Sequence, residues 1–169
     1  MLPVGVQAQF TFTTNNGAIT ITGYTGSGAD VTIPDTTNGL PVTSIGNSAF
    51  YGKITLTNVT IPNSVTNIGA NAFYSCGKLS SVTLSTNLTS IGASVFSYCS
   101  GLASITLPIS VTSVETNVFS YCSRLTSITL PTNFTSIGDS VFSYCSGLTN
   151  VTIPNSVTNI GANAFYSCG

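Results

Sequence analysis

The stretch Leu148-Thr149-Asn150-Val151-Thr152-Ile153-Pro154-Asn155-Ser156-Val157-Thr158-Asn159-Ile160-Gly161-Ala162-Asn163-Ala164-Phe165-Tyr166-Ser167-Cys168-Gly169 repeats residues 56–77 without a single difference, at an offset of 92 residues. That offset is four units of 23, and the unit recurs throughout. Leu148, Val151 and Ile153 have the spacing of a short strand whose alternate residues point inward. Pro154 turns the chain, Val157 and Ile160 mark an extended segment, and Phe165 and Cys168 belong to a short helical turn. One unit therefore reads as one coil of a solenoid.

Read outward from this stretch, the period is strict. Phe50, Phe73, Phe96, Phe119, Phe142 and Phe165 lie 23 residues apart, and Cys76, Cys99, Cys122, Cys145 and Cys168 each follow a Phe by three. A column of Ile45, Ile68, Ile91, Val114, Ile137 and Ile160 precedes them. A lone coil buries roughly seven apolar side chains at ~1.5–3 kcal/mol each, against ~1–2 kcal/mol per residue to order its backbone. Such a unit folds only in a stack, where neighbours share apolar contacts and backbone hydrogen bonds. The expectation is a six-coil solenoid over residues 31–169, with one parallel sheet built from residues 31–33, 59–61, 82–84, 105–107, 128–130 and 151–153.

The pattern L-x-x-I-x-[IL]-P-x-S-V-T-x-I-G-x-x-x-F-x-x-C resembles the BspA-like (Treponema pallidum type) leucine-rich repeat family over about residues 31–169. It departs from that pattern at Ser85, where Pro is expected, at Glu115, where Gly is expected, and at Lys53, where Cys is expected. Glu115 implies that the Gly column does not require a conformation open only to glycine. The resemblance implies a leucine-rich repeat with parallel β-strands, in cell-surface proteins that bind host or extracellular-matrix components.

The first coil is irregular, with a longer turn at residues 35–41. Upstream, residues 10–13 and 18–21 alternate at period two around Asn15-Asn16-Gly17, the pattern of a hairpin that caps the stack. Residues 1–9 read as the remnant of a secretory signal peptide, with Val6-Gln7-Ala8 as the cleavage signal, or as an ordinary apolar N-terminal arm. The domain reading is thus 1–9, a capping hairpin at 10–30, and the solenoid at 31–169.

Three Lys and Arg against four Asp and Glu leave no cationic footprint for nucleic acid. No apolar run is long enough for membrane insertion. The chain has no histidine, which excludes a Ser-His-Asp or Cys-His centre and a histidine metal site. Glu115 and Asp139, one coil apart, are the one pair of carboxylates to consider for glycoside chemistry. The recurring glycines are turns rather than a phosphate loop. The expectation is a non-catalytic protein without a cofactor or metal. Five cysteines at one repeat position form a core column of unpaired thiols, or else bridge adjacent coils.

Two threonine columns, Thr60, Thr83, Thr106, Thr129, Thr152 and Thr66, Thr89, Thr112, Thr135, Thr158, face outward. They are β-branched residues suited to an extended surface, or a hydroxyl array that recognises a protein, a polymer or ice. Tyr51, Tyr74 and Tyr166, with Tyr98, Tyr121 and Tyr144 displaced by one position, add an aromatic stripe suited to an interface or to core-edge packing. The leading functional expectation is an exported adhesion or protein-binding module with an extracellular protein or polysaccharide ligand. The alternative is a filament of copies joined head to tail, Leu2, Val4 and Val6 of one chain meeting Leu148, Val151 and Ile153 of the next. Ice binding through the threonines is a third.

Overall fold

The structure is a computed structural model that describes residues 9–169. The leader, including Leu2, Val4 and Val6, lies outside the described residues.

Six coils, numbered by their Phe from Phe50 in coil 1 to Phe165 in coil 6, stack as a parallel β-solenoid with a hairpin at its N-terminal end. β1 (Phe10–Asn15) and β2 (Ala18–Tyr24) pair antiparallel with Asn15 opposite Ala18. Asn16 and Gly17 join them at φ 49° and 75°, the two positive angles a tight hairpin turn needs. β2 then pairs in parallel with β5 (Leu40–Ile45), so the hairpin supplies the rung beneath coil 1. Phe10 and Tyr24 lie 6.3 and 5.3 Å from the Phe50 ring and close the aromatic column. The longer turn of coil 1 folds back on itself, with β4 (Thr36–Thr37) antiparallel to β5.

Each coil presents a strand face, a second extended face and a turn face. The strand face holds β3 (Asp30–Thr32), β6 (Asn58–Thr60), β8 (Ser81–Thr83), β10 (Ser104–Thr106) and β12 (Ser127–Thr129). The second face holds β5, β7 (Asn67–Ile68), β9 (Ser90–Ile91), β11 (Ser113–Val114), β13 (Ser136–Ile137) and β14 (Asn159–Ile160). Equivalent residues pair, as Val59 with Val82 and Ile105 with Ile128. The Phe column from Phe50 to Phe142 is fully buried and Phe165 partly so. Successive rings sit 4.8 to 5.7 Å apart, close to the spacing between strands.

Three expectations need correction. The turn face contains no helix among the described residues. Its N–H groups alternate between partners, Cys76 donating to Phe73 O within the coil and Phe73 to Val95 O in the next. A helix would keep all these bonds to itself, whereas the alternation lets the turn face join in stacking. The expected strand at residues 151–153 does not form. Leu130 N–H makes no bond to Thr152 O, so the ladder that joins β10 to β12 is not carried into coil 6.

The strand face, moreover, is not one sheet. It divides into β3-β6-β8 and β10-β12, and the second face also parts between β9 and β11. Both breaks fall between coils 3 and 4. Ile61 N–H reaches Thr83 O at 2.9 Å and Leu107 N–H reaches Thr129 O at 3.1 Å, while the corresponding Leu84 N–H to Thr106 O bond is missing. The turn face stays joined, through Phe96 N–H to Val118 O at 2.9 Å, and Ser110 Oγ bridges to Thr86 O at 2.9 Å.

Glu115 explains the break. None of Gly46, Gly69, Gly92, Gly138 and Gly161 has a positive φ, so the column needs no special conformation. It needs the missing Cβ. One built on Gly92 would lie 2.8 Å from Ala70 N, and one on Gly138 2.8 Å from Glu115 C. Each of these glycines thus rests on the backbone of the coil or hairpin strand before it. In coil 4 that position carries Glu115, whose Cβ fits only if the extended segment there moves away from coil 3, and the ladders of both extended faces open at this junction while the turn face stays bonded.

Two stability predictions follow from this packing. Glu115→Gly should let coil 4 close on coil 3 and recover several ladder bonds of ~0.5–1.5 kcal/mol each, raising the chemical denaturation midpoint; an unchanged midpoint would show that the Cβ is not what holds the coils apart. Phe119→Ala should cost ~3–5 kcal/mol by opening a cavity between two neighbours, and Phe165→Ala, with one covered face, measurably less in the same assay.

Candidate binding surfaces

The two threonine columns differ in what their hydroxyls do. Thr89 Oγ1 donates to Thr66 O at 3.1 Å and Thr135 Oγ1 to Thr112 O at 3.0 Å, with longer bonds from Thr66 and Thr158 to Thr43 O and Thr135 O. Each acceptor also takes the backbone N–H of the same threonine. This column therefore spends its hydroxyls on the ladder, and the missing member, Thr112 to Thr89, falls at the break. Thr60, Thr83, Thr106, Thr129 and Thr152 are all exposed and their hydroxyls have no partner within the described chain. The break divides them. A cleft of about 400 Å³ opens between β8 and β10, lined by Val82, Thr83, Leu84, Ser104, Thr106 and Pro108 among others.

Tyr51, Tyr74, Tyr98, Tyr121, Tyr144 and Tyr166 form one continuous ladder on the turn face, although they come from two different repeat positions. Neighbouring rings lie 5.1, 5.3, 4.4, 4.4 and 5.4 Å apart. All but Tyr74 are substantially exposed. Tyr98, Tyr121 and Tyr144 hold φ near 60°, a left-handed conformation that costs a bulky residue ~1–2 kcal/mol. Gly52 occupies the same place in coil 1, and Ser75 and Ser167 in coils 2 and 6. Stacking returns ~0.5–1.5 kcal/mol per pair, so the two terms roughly cancel and stability gives no reason for tyrosine over glycine there. Desolvation against neighbouring rings, then the like charge of adjacent phenolates, raises the pKa of Tyr74 and Tyr121.

The cysteines are free thiols. Each donates back to a Phe carbonyl: Cys76 to Phe50, Cys99 to Phe73, Cys122 to Phe96, Cys145 to Phe119 and Cys168 to Phe142, at 3.1 to 3.2 Å. The bridging alternative is thus not adopted. Burial pushes Cys76 and Cys145 up to about 12 and Cys99 and Cys122 well above the ordinary thiol range, and it raises Cys168 as well. Among the described residues no three acidic or thiol side chains gather into a metal site. Asp139 Oδ1 accepts the Ala162 N–H at 2.8 Å, as Asn47 Oδ1 accepts that of Ala70 in coil 2, so this carboxylate is engaged in fastening the next coil. At the coil 6 face, buried Leu148 and half-buried Val151 and Ile153 line an open hollow of about 310 Å³ with Phe165 and Cys168.

A family model described as BspA type Leucine rich repeat region matches residues 43–169 in six copies. The chain belongs to the BspA-type leucine-rich repeat family. A leucine-rich repeat protein from T. pallidum shares 33% identity over 98% of this BspA-type chain, with a TM-score of 0.69. A leucine rich cell surface protein from Faecalibacterium prausnitzii shares 38% over 95%, with a TM-score of 0.81. One from Bacteroides capillosus shares 32% over 72%, with a TM-score of 0.61, and this chain covers 93% of it. The BspA-type chain spans 66% and 51% of the length of the first two. No curated protein matches the sequence. BspA-type leucine-rich repeats are in general binding scaffolds, and no helix among the described residues is long and apolar enough to cross a membrane.

Sequence reading found both threonine columns but not the difference between them, which depends on which hydroxyl lies beside a carbonyl of the previous coil. It also missed the cleft. The signal was Glu115, read for its φ rather than for its Cβ.

Because the folded thiols titrate above unfolded ones, their contribution to stability is fully present below about pH 9. It is lost as pH rises towards 12, so the denaturation midpoint should fall across that window. In the folded protein at pH 8, iodoacetamide followed by mass spectrometry should modify Cys168 first and leave Cys99 and Cys122 untouched.

Proposed function

We propose that this chain is part of an exported, non-catalytic surface protein that adheres to an extracellular protein or polysaccharide through its hydroxyl-rich strand face. The observation that carries this reading is the row Thr60, Thr83, Thr106, Thr129 and Thr152, exposed and with no hydroxyl partnered within the described chain, beside a second row in which all but Thr112 commit their hydroxyls to the ladder. The F. prausnitzii relative, described as a cell surface protein, supports the location. The break between β8 and β10 interrupts the regular lattice that an ice plane would need, which leaves adhesion the better supported use of the row.

A second reading is head-to-tail assembly. It is favoured by a net charge of −1, which opposes association weakly, with the contact falling on Leu148, Val151 and Ile153. The leader residues Leu2, Val4 and Val6 would supply the opposing contact.

Surface plasmon resonance against immobilised matrix proteins and polysaccharides should show binding that falls at least several-fold in a Thr83→Ala, Thr106→Ala, Thr129→Ala variant with an unchanged melting profile. No binding to any surface would overturn the adhesion reading. Sedimentation that grows with concentration, and stops growing when residues 1–8 are deleted, would move the assignment to assembly.

A further inference from the structure

We propose that the turn face is a second, separate binding site, which takes a neutral polysaccharide chain laid along the tyrosine ladder. Three observations converge on it. Tyrosine stands at Tyr98, Tyr121 and Tyr144 in a strained left-handed conformation that glycine fills without strain in coil 1, and against glycine the stacking it gains only offsets that strain. Strain kept where a small residue would serve points to use of the side chain. Where tyrosine moves from one repeat position to the next, between Tyr74 and Tyr98 and again between Tyr144 and Tyr166, the ladder remains unbroken. Two local rules are bent to keep one row.

The third observation is what lies beside the row. Shallow grooves of about 240 and 340 Å³ flank it, the first lined by Ser94, Ser97, Asn117 and Ser120 with three of the tyrosines, the second by Ser140, Ser143 and Asn163 with two. Ser94, Asn117, Ser140 and Asn163 make no side-chain hydrogen bond within the described chain. The lining is thus hydroxyl, carboxamide and phenol, with no charge and no aliphatic side chain.

That chemistry selects the ligand. An anionic glycan or a nucleic acid would need Lys or Arg in the grooves. A peptide binds through apolar or charged anchors in pockets, and its side chains recur on one face every two residues, about 6.6 Å, against 4.4 to 5.4 Å along the ladder. A neutral sugar chain offers what remains: hydroxyls to pair with the Ser and Tyr hydroxyls and the Asn carboxamides along the row. One sugar unit is about as long as one coil is thick, so each coil meets an equivalent unit and affinity should grow with chain length.

Native electrophoresis in gels containing laminarin, barley β-glucan, mannan or heparin tests the site. At least one neutral glycan should slow migration and heparin should not. Tyr98→Phe with Tyr121→Phe and Tyr144→Phe keeps the stack, removes three hydroxyls and should weaken retardation about tenfold. Glycine at the same three positions, where it suits the backbone, should abolish it, and if that variant does not fold the phenylalanine variant decides. The Thr83→Ala, Thr106→Ala, Thr129→Ala variant should be retarded like the parent, so loss of adhesion on the strand face and failure of this site are separable. Absence of retardation by every neutral glycan, or retardation unchanged in the phenylalanine variant, overturns the proposal. Tyrosine-dependent dimerisation without glycan would assign the ladder to a second copy of the chain instead.

Discussion

The distance between coils governs this molecule. Strand ladders, phenylalanine stacking and the thiol-to-carbonyl bonds all require successive coils to lie about 5 Å apart. What lets the two extended faces close to that distance is the absence of a Cβ at one position per coil. With glycine there, backbone meets backbone; with Glu115 it cannot, and two of three faces lose their pairing at once while the turn face holds. The bond network is thus not a sum of independent contacts. One steric requirement sets whether many weak bonds are available together, and nearest-neighbour stacking makes the failure local rather than general.

The polar groups that stacking leaves inside are satisfied by the same period. Phe50 to Phe142 carry carbonyls that point into the core between turns, and a thiol of the next coil reaches each of them. A cysteine is small enough to lie in the column, apolar enough to be buried there, and still a donor. Lys53, at the cysteine position of coil 1, lies where the cap rather than another regular coil precedes it. That departure therefore sits at the one place where the column begins.

The architecture was legible because it is written several times. The Phe column, the strand residues Val59, Val82, Ile105 and Ile128, and the Asn16-Gly17 hairpin turn each lie where periodicity and turn chemistry place them. Legibility ended where the answer depended on pairs of coils rather than on one. Glu115 reads as a tolerable change when its own backbone is considered, and as a wedge only when coil 3 is set against it. The helical turn was misplaced for a related reason: Phe73 N–H has a partner in the next coil, and no single repeat reveals a bond that leaves it. The tyrosine ladder lies between these cases, since two repeat positions displaced by one residue converge only if the turn runs nearly flat across the stack.

These limits bear on how the surface should be understood. In a solenoid the outward side chains inherit their spacing from the core, so a regular binding surface is regular only as far as the coils are evenly stacked. The strand face is interrupted at β8 and β10 and offers two blocks, Thr60 with Thr83 and Thr106 with Thr129. The turn face crosses the same junction without a gap: Tyr98 and Tyr121 are 4.4 Å apart, as close as any pair in the row. Glu115 therefore distinguishes two kinds of surface on one molecule. A ligand that needs a continuous track has one on the tyrosine side, and a ligand that can enter between coils has its place on the threonine side, where Val82 and Ile105 do not pair.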